Sequence, residues 1–579
     1  MKSTLISILL LLSLHCFSQN KEVTHWINTH AIPINTSNYN IDEIQGIGKY
    51  VQHATIVGVG EASHGSHENF VIKNKLVKYL ISKQGYRIFT MESDFADRNI
   101  INNYILNKGG SMKECISSFW SWPWATEEMA ELIEWMKNFN LTQPENDKIQ
   151  FYGFDMQMVK DPVRMAKKFL KDKNELNKSR ENLLDSVLTY DSKKKTEKEL
   201  ISGIEQLIAE LQTDKKELLK TTSVKDFNFN IHIIETIRQW IKVNSLDMLP
   251  GYFLRDQMMF ENVEWIKMNH PNQKLILWAH DGHLTKEEYK TAGYKPLGYL
   301  VKQKYKGKYY VIGFDFGRGT MKATDSKNGL TTVVIDSLDK KMSSRYFETS
   351  KFKNYFIDLN SNRNKKDKNV EAFLNNQTDK WSVGAVYDFD KEKYSYAVDS
   401  AIVISKSFNA ICYIDRTSAS KSYNKIAYIS QEVDVKEYRN LEFRMACDLK
   451  VSNLDKDAMI SNCIYSASDT TPWAEVTCTG PKPSHLNQWS KHITSGKIGA
   501  DINKFYLGYS LTGTKPSEVF IDNILFEVLK DGKWVRINLK NSDFENDVTG
   551  QKPDGYTVFE NGYSARILQQ NNKVLRIGN

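Results

Sequence analysis

The chain has 579 residues, of which 41% are hydrophobic, 12% aromatic and 26% charged. That balance fills a large core and excludes a disordered or collagen-like chain, and a single long apolar run excludes a multi-pass membrane protein. The formal charge of +8, from 78 Lys+Arg against 70 Asp+Glu, is too small on this length to mark a nucleic-acid binder, and six Cys are too few for a disulfide scaffold.

A soft prior of roughly 150 residues per domain predicts about four units, or fewer if one is large. The chain opens with Met1-Lys2, an apolar run from Leu5 to Leu14 broken only by Ser7 and Ser13, and then Cys16-Phe17-Ser18. A positive start, a short apolar stretch and a small residue before the cut predict a secretory signal peptide over residues 1–18. The run is too short to span a bilayer. Cleavage after Ser18 removes Lys2 and Cys16, which leaves a charge of +7 and five Cys. The expected location is therefore outside the cytoplasm, with room for one or two disulfides.

From Glu22 to Asp155, short apolar runs alternate with amphipathic stretches. Ala54 to Val59, Tyr86 to Met91 and Ile149 to Phe154 read as buried strands, and Leu76, Val77, Leu80 and Ile81 recur at helical spacing before Gly85. Strand, helix, strand is the signature of a parallel sheet with crossover helices. Between Pro162 and Pro250 there is no other Pro and one Gly, Gly203, in a stretch crowded with Lys, Glu, Leu and Ile. That composition predicts a helical insertion over about 160–250 whose charges are solvated outer faces. The sheet pattern resumes at Lys274 to Ala279 and Tyr309 to Phe314. Asn360 to Lys368 reads as a surface loop.

Beyond about Ser418 the texture changes. Phe443, Met445, Cys447, Leu449 and Val451 alternate with polar residues and share one face of a half-buried strand. Val519 to Val528 is another strand, and Asp531-Gly532 turns it into Trp534 to Ile537. The expected fold is α/β with a mostly parallel sheet and a helical insertion in residues 19–417, followed by an all-β, jelly-roll-like sandwich over 425–579.

The strand ends carry the chemistry. Glu61 and His64 follow Val59-Gly60, Glu92 follows Met91, Asp155 follows Phe154, His280 and His283 follow Ala279, and Asp315 follows Phe314. In a parallel sheet these ends gather on one edge, where ligands bind. A lone acid after a strand is often a cap or turn residue, and Asp315, beside Gly317 and Gly319, reads that way. Two Glu and three His at strand ends form a candidate active site. No Gly-x-Ser-x-Gly elbow supports a Ser nucleophile, and no phosphate loop is present. A Glu close to a His suits general-base catalysis, with a second His pair to hold an oxyanion. The same residues are standard metal ligands, and spacing leaves both readings open.

Gly60 to Phe70, Met91 to Phe95, Trp122 to Glu128, Phe151 to Gln157, Leu254-Arg255-Asp256 and Trp278 to His283 together resemble the erythromycin esterase family. Val383 to Tyr387 and Phe408 to Thr417 look like that family's closing strands. The blocks run in family order over roughly residues 40–417. The resemblance implies an α/β fold with a helical insertion and hydrolysis of an ester or macrolactone by activated water, without an acyl-enzyme. It implies His64 as general base, Glu61 and Glu92 positioning the base and the water, and His280 and His283 polarising the carbonyl. Arg255, Lys73, Trp122, Trp124 and Asp155 are expected at the substrate, and no metal or cofactor is expected. Where the family often carries an Arg, this chain has Lys73, which keeps the charge and loses the two-pronged geometry. Trp120, Trp122 and Trp124 flank Pro123 as a packed loop or as an apolar wall for a bulky lactone.

Phe520 to Glu527 looks like the closing strand of carbohydrate-binding jelly rolls, and Trp473 and Trp489 are candidates to stack on sugars or to fill the core. The expected partners are a small ester or lactone and, through the C-terminal unit, glycans. No nucleic acid and no membrane span are expected. Two other readings stay open: a metal-dependent hydrolase acting on a glycoconjugate, and a surface glycan-binding protein with an inactive esterase-like domain.

Overall fold

In the computed structural model of the protein, the apolar runs that end at acids and histidines are neighbouring strands of one sheet. The structure describes residues 21–578 except 120, 193–195, 291, 326–328, 337, 340, 361–366, 388–397, 469–473, 481–485 and 571. The expected signal peptide, Trp120, Trp473 and most of the loop expected at Asn360 to Lys368 lie outside the described residues.

The strands are β1 (Ile32–Pro33), β2 (Ile56–Val59), β3 (Tyr86–Asp94), β4 (Gln150–Asp155), β5 (Lys274–Trp278), β6 (Tyr309–Asp325), β7 (Gly329–Ile335), β8 (Asn354–Asp358), β9 (Gln377–Trp381), β10 (Val398–Val403) and β11 (Ala410–Thr417). Among the described residues, the main sheet runs β1-β8-β11-β6-β2-β5-β3-β4, with β7 added to β6. From β11 to β4 every neighbouring pair is parallel. β8 joins antiparallel at the β11 side, and β1 is antiparallel to β8. The strands buried on both faces are near-continuous apolar runs, as in β2, all four of whose residues are buried.

The helix His67–Gln84 follows β2. Ser66 caps it by accepting the Asn69 N–H, and Gly85 closes it at φ 72°, a left-handed conformation that favours glycine. The inserted helices Lys160–Asp172, Lys178–Leu188, Glu197–Thr213 and Val224–Asn244 share a core of their own that includes Leu184, Ile204, Leu207, Ile234 and Ile237. The helix Met248–Asn269 then leads back to β5. No described helix is long and apolar enough to cross a membrane.

Three local expectations change. β6 continues through Gly317 and Gly319 to Asp325, so Asp315 sits inside a strand and is no cap. Pairing with β11 carries the strand as far as Gly319, and the hydroxyls of Ser343 and Ser344 donate to the Asp315 carboxylate. Glu92 does not follow a strand end. It lies within β3 at an irregularity in the pairing with β4 between Met91 and Asp94, which re-aims a side chain as bulges do. Val383 to Tyr387 forms no strand, because Val383 spends its backbone groups on Ala62 and His64.

Packing divides the chain into two units. One comprises residues up to Trp124, Glu128–Ala323 and Thr332–Ser420, and the other comprises Ala125–Glu127, Thr324–Thr331 and the chain from Lys421 onward. The second unit holds antiparallel sheets of five and six strands among the described residues. Their shared core includes Phe443, Met445, Cys447, Leu449, Val451, Phe505 and Phe526. The strand Glu518–Lys530, which contains Phe520 to Glu527, turns at Asp531-Gly532 into Lys533–Ile537 and is followed by further strands, so it does not close the fold. Cys463 and Cys478 face one another across two strands of the five-stranded sheet and form a disulfide.

Candidate active site

The carboxyl ends of β2, β3, β4 and β5 bring residues far apart in sequence to one edge. Among them lies a cleft of about 480 Å³ lined by His64, Glu92, Arg255, His280 and His283. Trp124, Tyr252, Tyr289 and Tyr294 add an aromatic wall, and Ser382, Gly384 and Asp399 line it as well. The volume falls within the roughly 300–1,000 Å³ of small-molecule sites.

His64 is held from behind. Its Nδ1 lies 2.5 Å from Glu61 Oε1, while the ammonium of Lys73 donates to Glu61 Oε2. Lys73 is fully buried and its Nζ sits 3.8 Å from the Trp278 ring centroid. Burial pulls the Lys73 ammonium down to about 8 against the pull of Glu61. Burial pushes the Glu61 carboxyl up, but Lys73 and His64 outweigh it and hold the group below its ordinary value. With Nδ1 engaged by a carboxylate, the imidazole is left with Nε2 to accept a proton.

His280 faces His64 with ring centroids 5.0 Å apart. Its Nδ1 accepts the Gly282 N–H at 3.3 Å, which assigns the ring proton to Nε2. That Nε2 is buried and has no hydrogen-bond partner among the described residues. Burial, reinforced by His64, holds the imidazole well below its ordinary value, so the ring is neutral. A buried donor without a partner is costly unless a ligand satisfies it.

His283 is the opposite case. Its Nδ1 lies 2.5 Å from Asp256 Oδ1, and its Nε2 lies 3.3 Å from Glu92 Oε1. Burial opposes the charge, yet Asp256, Tyr252 and Glu92 hold the imidazolium well above the ordinary histidine range. Glu92 also accepts the Arg255 guanidinium at 2.9 Å and the His280 backbone N–H at 2.9 Å. Burial would raise its carboxyl, but His283 and Arg255 hold it well below the carboxylate range. Arg255 spans Asp155 with Nε at 3.0 Å and Nη2 at 2.5 Å. Asp155 thus lies behind Arg255 and is fully buried.

The sequence-derived set divides by depth. His64, Glu92, Arg255, His280, His283 and Trp124 line the cleft, whereas Glu61, Lys73 and Asp155 support them from behind. Trp122 is half-buried and is not among the cleft-lining residues. Sequence reasoning missed Asp256, Tyr252, Tyr294 and Lys380. Asp256 stands next to Arg255 on one helix and turns to His283, Tyr294 and the Leu297 N–H. It stands in the Leu254-Arg255-Asp256 block, which carries part of the family resemblance but assigns Asp256 no role. Gln157, also at the cleft, accepts the Trp240 indole N–H on its backbone carbonyl at 3.0 Å.

The family model described as Erythromycin esterase matches residues 81–417, more than half of the chain. Glu61 and His64 precede that match. A relative from Bacillus subtilis (strain 168), the putative hydrolase YbfO, is 26% identical over 344 residues, covering 54% of this chain and 76% of its own. Erythromycin esterase type II of Escherichia coli is 23% identical over 356 residues, covering 55% and 81% respectively. Among solved structures, a Bacillus cereus protein superposes with a TM-score of 0.61 at 23% identity over 70% of this chain and 99% of that one, a likeness of fold.

Proposed function

Because the chain belongs to the erythromycin esterase family, whose relatives here include two named as a hydrolase and an esterase, we propose that it hydrolyses a carboxylic ester or macrolactone by direct attack of water. The observation that carries this reading is the pairing of a carboxylate-held His64 with a neutral His280, whose Nε2 has no partner among the described residues, across the same cleft.

In this reading His64 Nε2 takes a proton from water as the water oxygen bonds to the substrate carbonyl carbon, and Glu61 stabilises the resulting imidazolium. The carbonyl oxygen becomes an oxyanion and accepts from His280 Nε2–H, beside the positive charge of His283. On collapse the carbon–alkoxy bond breaks and the alkoxide takes the proton from His64, giving an acid and an alcohol. Glu92, Arg255 and Asp155 hold the frame. The Trp124 and tyrosine wall suits the apolar body of a lactone or acylated sugar. Purified protein assayed against macrolides and acylated sugars tests the reading, with H64A as control. Hydrolysis retained in H64A would remove His64 from the role of base.

We also propose export and a glycan-facing second unit. The Cys463–Cys478 bridge supports an oxidising compartment. Trp489, 43% exposed, is available to stack on a sugar ring.

A further inference from the structure

Lys380 lies at the end of β9 and is fully buried, yet the hydrolytic scheme does not use it. Its ammonium donates to Asp281 Oδ2 at 2.9 Å, to the Trp381 carbonyl at 2.6 Å and to the Phe314 carbonyl at 3.2 Å. Asp399, which lines the cleft, lies 3.8 Å away. Asp281 directly follows His280. Its carboxylate also accepts the Phe314 N–H at 2.9 Å, and its own N–H donates to the Glu61 carbonyl at 3.0 Å. Gly60 makes room for this carboxylate, since a Cβ there would come within 1.9 Å of Asp281 Oδ1. Three residues beyond Lys380, the Val383 N–H donates to the Ala62 carbonyl at 2.7 Å, and the Val383 carbonyl accepts the His64 N–H at 3.3 Å. One short segment therefore touches both sides of the proposed chemistry, by its backbone at His64 and by a side chain next to His280.

We propose that Lys380 is a positioning residue that locks the turn carrying His280 and the turn carrying His64 into one register. The proposal rests on the reading of His64 as base and His280 as oxyanion donor. A fully buried lysine is retained only with close partners, because an isolated buried ammonium is expensive. Burial pulls the Lys380 ammonium down, but Asp281, Asp399 and Asp315 together hold it above the ordinary lysine range, so the charge is permanent near neutrality. Burial and His64 chiefly hold the His280 ring neutral, Glu92 opposes them, and the positive charges of His283 and Lys380 add smaller pushes in the same direction as burial. Lys380 thereby holds the His280 turn in place and adds to a neutrality that burial and His64 chiefly impose.

The test uses the full-length protein as K380M, K380R and the double variant D281N/K380M. The double variant removes both buried charges, so no carboxylate is stranded. Each is read for thermal midpoint, kcat, KM and the NMR titration of the His280 ring. The expected result is a fall in kcat per folded molecule of about tenfold to a hundredfold in K380M and in the double variant, with KM little changed, and a His280 midpoint moved up in K380M, where the lysine charge alone is lost. K380R, which keeps the charge, recovers most of kcat and leaves the midpoint in place. A role in packing alone lowers the thermal midpoint and moves neither of the other readings. Wild-type turnover in the folded double variant would overturn the proposal, as would K380R behaving like K380M. If the wild-type protein hydrolyses no ester, the hydrolase reading falls by itself, and the His280 midpoint decides the inference without turnover.

Discussion

The Lys73 ammonium donates to Glu61 on the oxygen that His64 does not use, so one buried carboxylate is shared between a cationic helper and the proposed base. The helper's charge is poised, because burial brings it down to about 8. Above that pH Glu61 loses its cation, and an alkaline fall in kcat/KM centred near pH 8 is expected. In the unfolded chain lysine keeps its proton to about pH 10.4. Between the two values the unfolded state binds more protons, so the contribution of Lys73 to stability rises with pH while activity falls. K73R keeps the charge, and its kcat/KM profile is expected to extend to higher pH. K73M strands Glu61 and is expected to lower stability by about 3–5 kcal/mol in denaturant titration.

His64 and Glu61 differ in the size of their expected effects. H64Q removes the base and is expected to lower kcat by about 10²–10⁴-fold, the range of general-base catalysis. E61Q keeps a hydrogen bond to Nδ1 but loses the charge that stabilises the imidazolium, so a smaller loss of kcat with KM little changed is expected. Steady-state kinetics on any ester the wild type cleaves separates them, and equal losses would mean that Glu61 does more than hold His64.

His283 links the site to stability. Its folded pKa is raised above the unfolded value of about 6.5. Its contribution is then fully present below about pH 6.5 and is lost as pH rises through the folded value. Thermal melts of wild type and H283N are expected to differ most on the acid side of neutrality and to converge in alkali. A gap that widens with pH would contradict the charged assignment of His283.

Chelation separates the hydrolytic reading from the metal-dependent one. The carboxylates that could bind a cation are already spent on Lys73, Arg255, His283 and Lys380. Prolonged EDTA treatment followed by gel filtration is expected to leave kcat unchanged. A loss restored by added zinc or manganese would favour the metal-dependent reading.

The second unit carries a covalent check. Cys463 and Cys478 are 15 positions apart in sequence, and for a loop of that size chain-entropy arguments give about 3 kcal/mol. Non-reducing peptide mapping is expected to recover that bridge, with Cys115, Cys412 and Cys447 as buried thiols. C463S/C478S is expected to lower the melting temperature of the second unit and to leave ester hydrolysis intact.

Much of this arrangement was readable from residues alone because parallel strands are apolar end to end and stop where the ligand edge begins. β2, β4 and β5 ended where their apolar runs ended, and Gly85 marked the helix terminus. β6 was read too short because Gly317 and Gly319 look like a turn, whereas pairing with β11 carries the strand through both, with Gly319 at φ 130°. Lys380, Asp256 and Tyr294 left no periodic trace. Their roles come from long-range side-chain pairing, which neither spacing nor propensity encodes. Trp122 and Trp124 were alike in sequence and differ only in which of them the short turn Trp122–Trp124 presents to the cleft.

The inserted helices have a core of their own, although Phe229 and Ile233 of the last of them pack in the main core, and a bond from the Trp240 indole to the Gln157 carbonyl ties them to a residue of the cleft wall. A segment with its own core exchanges its amides as a cooperative block. Loosening of that block by heat, a destabilising substitution or a small molecule wedged between its helices would reach the cleft wall through Gln157. This makes the insertion a natural place to tune the choice of substrate without touching a single charged group of the floor.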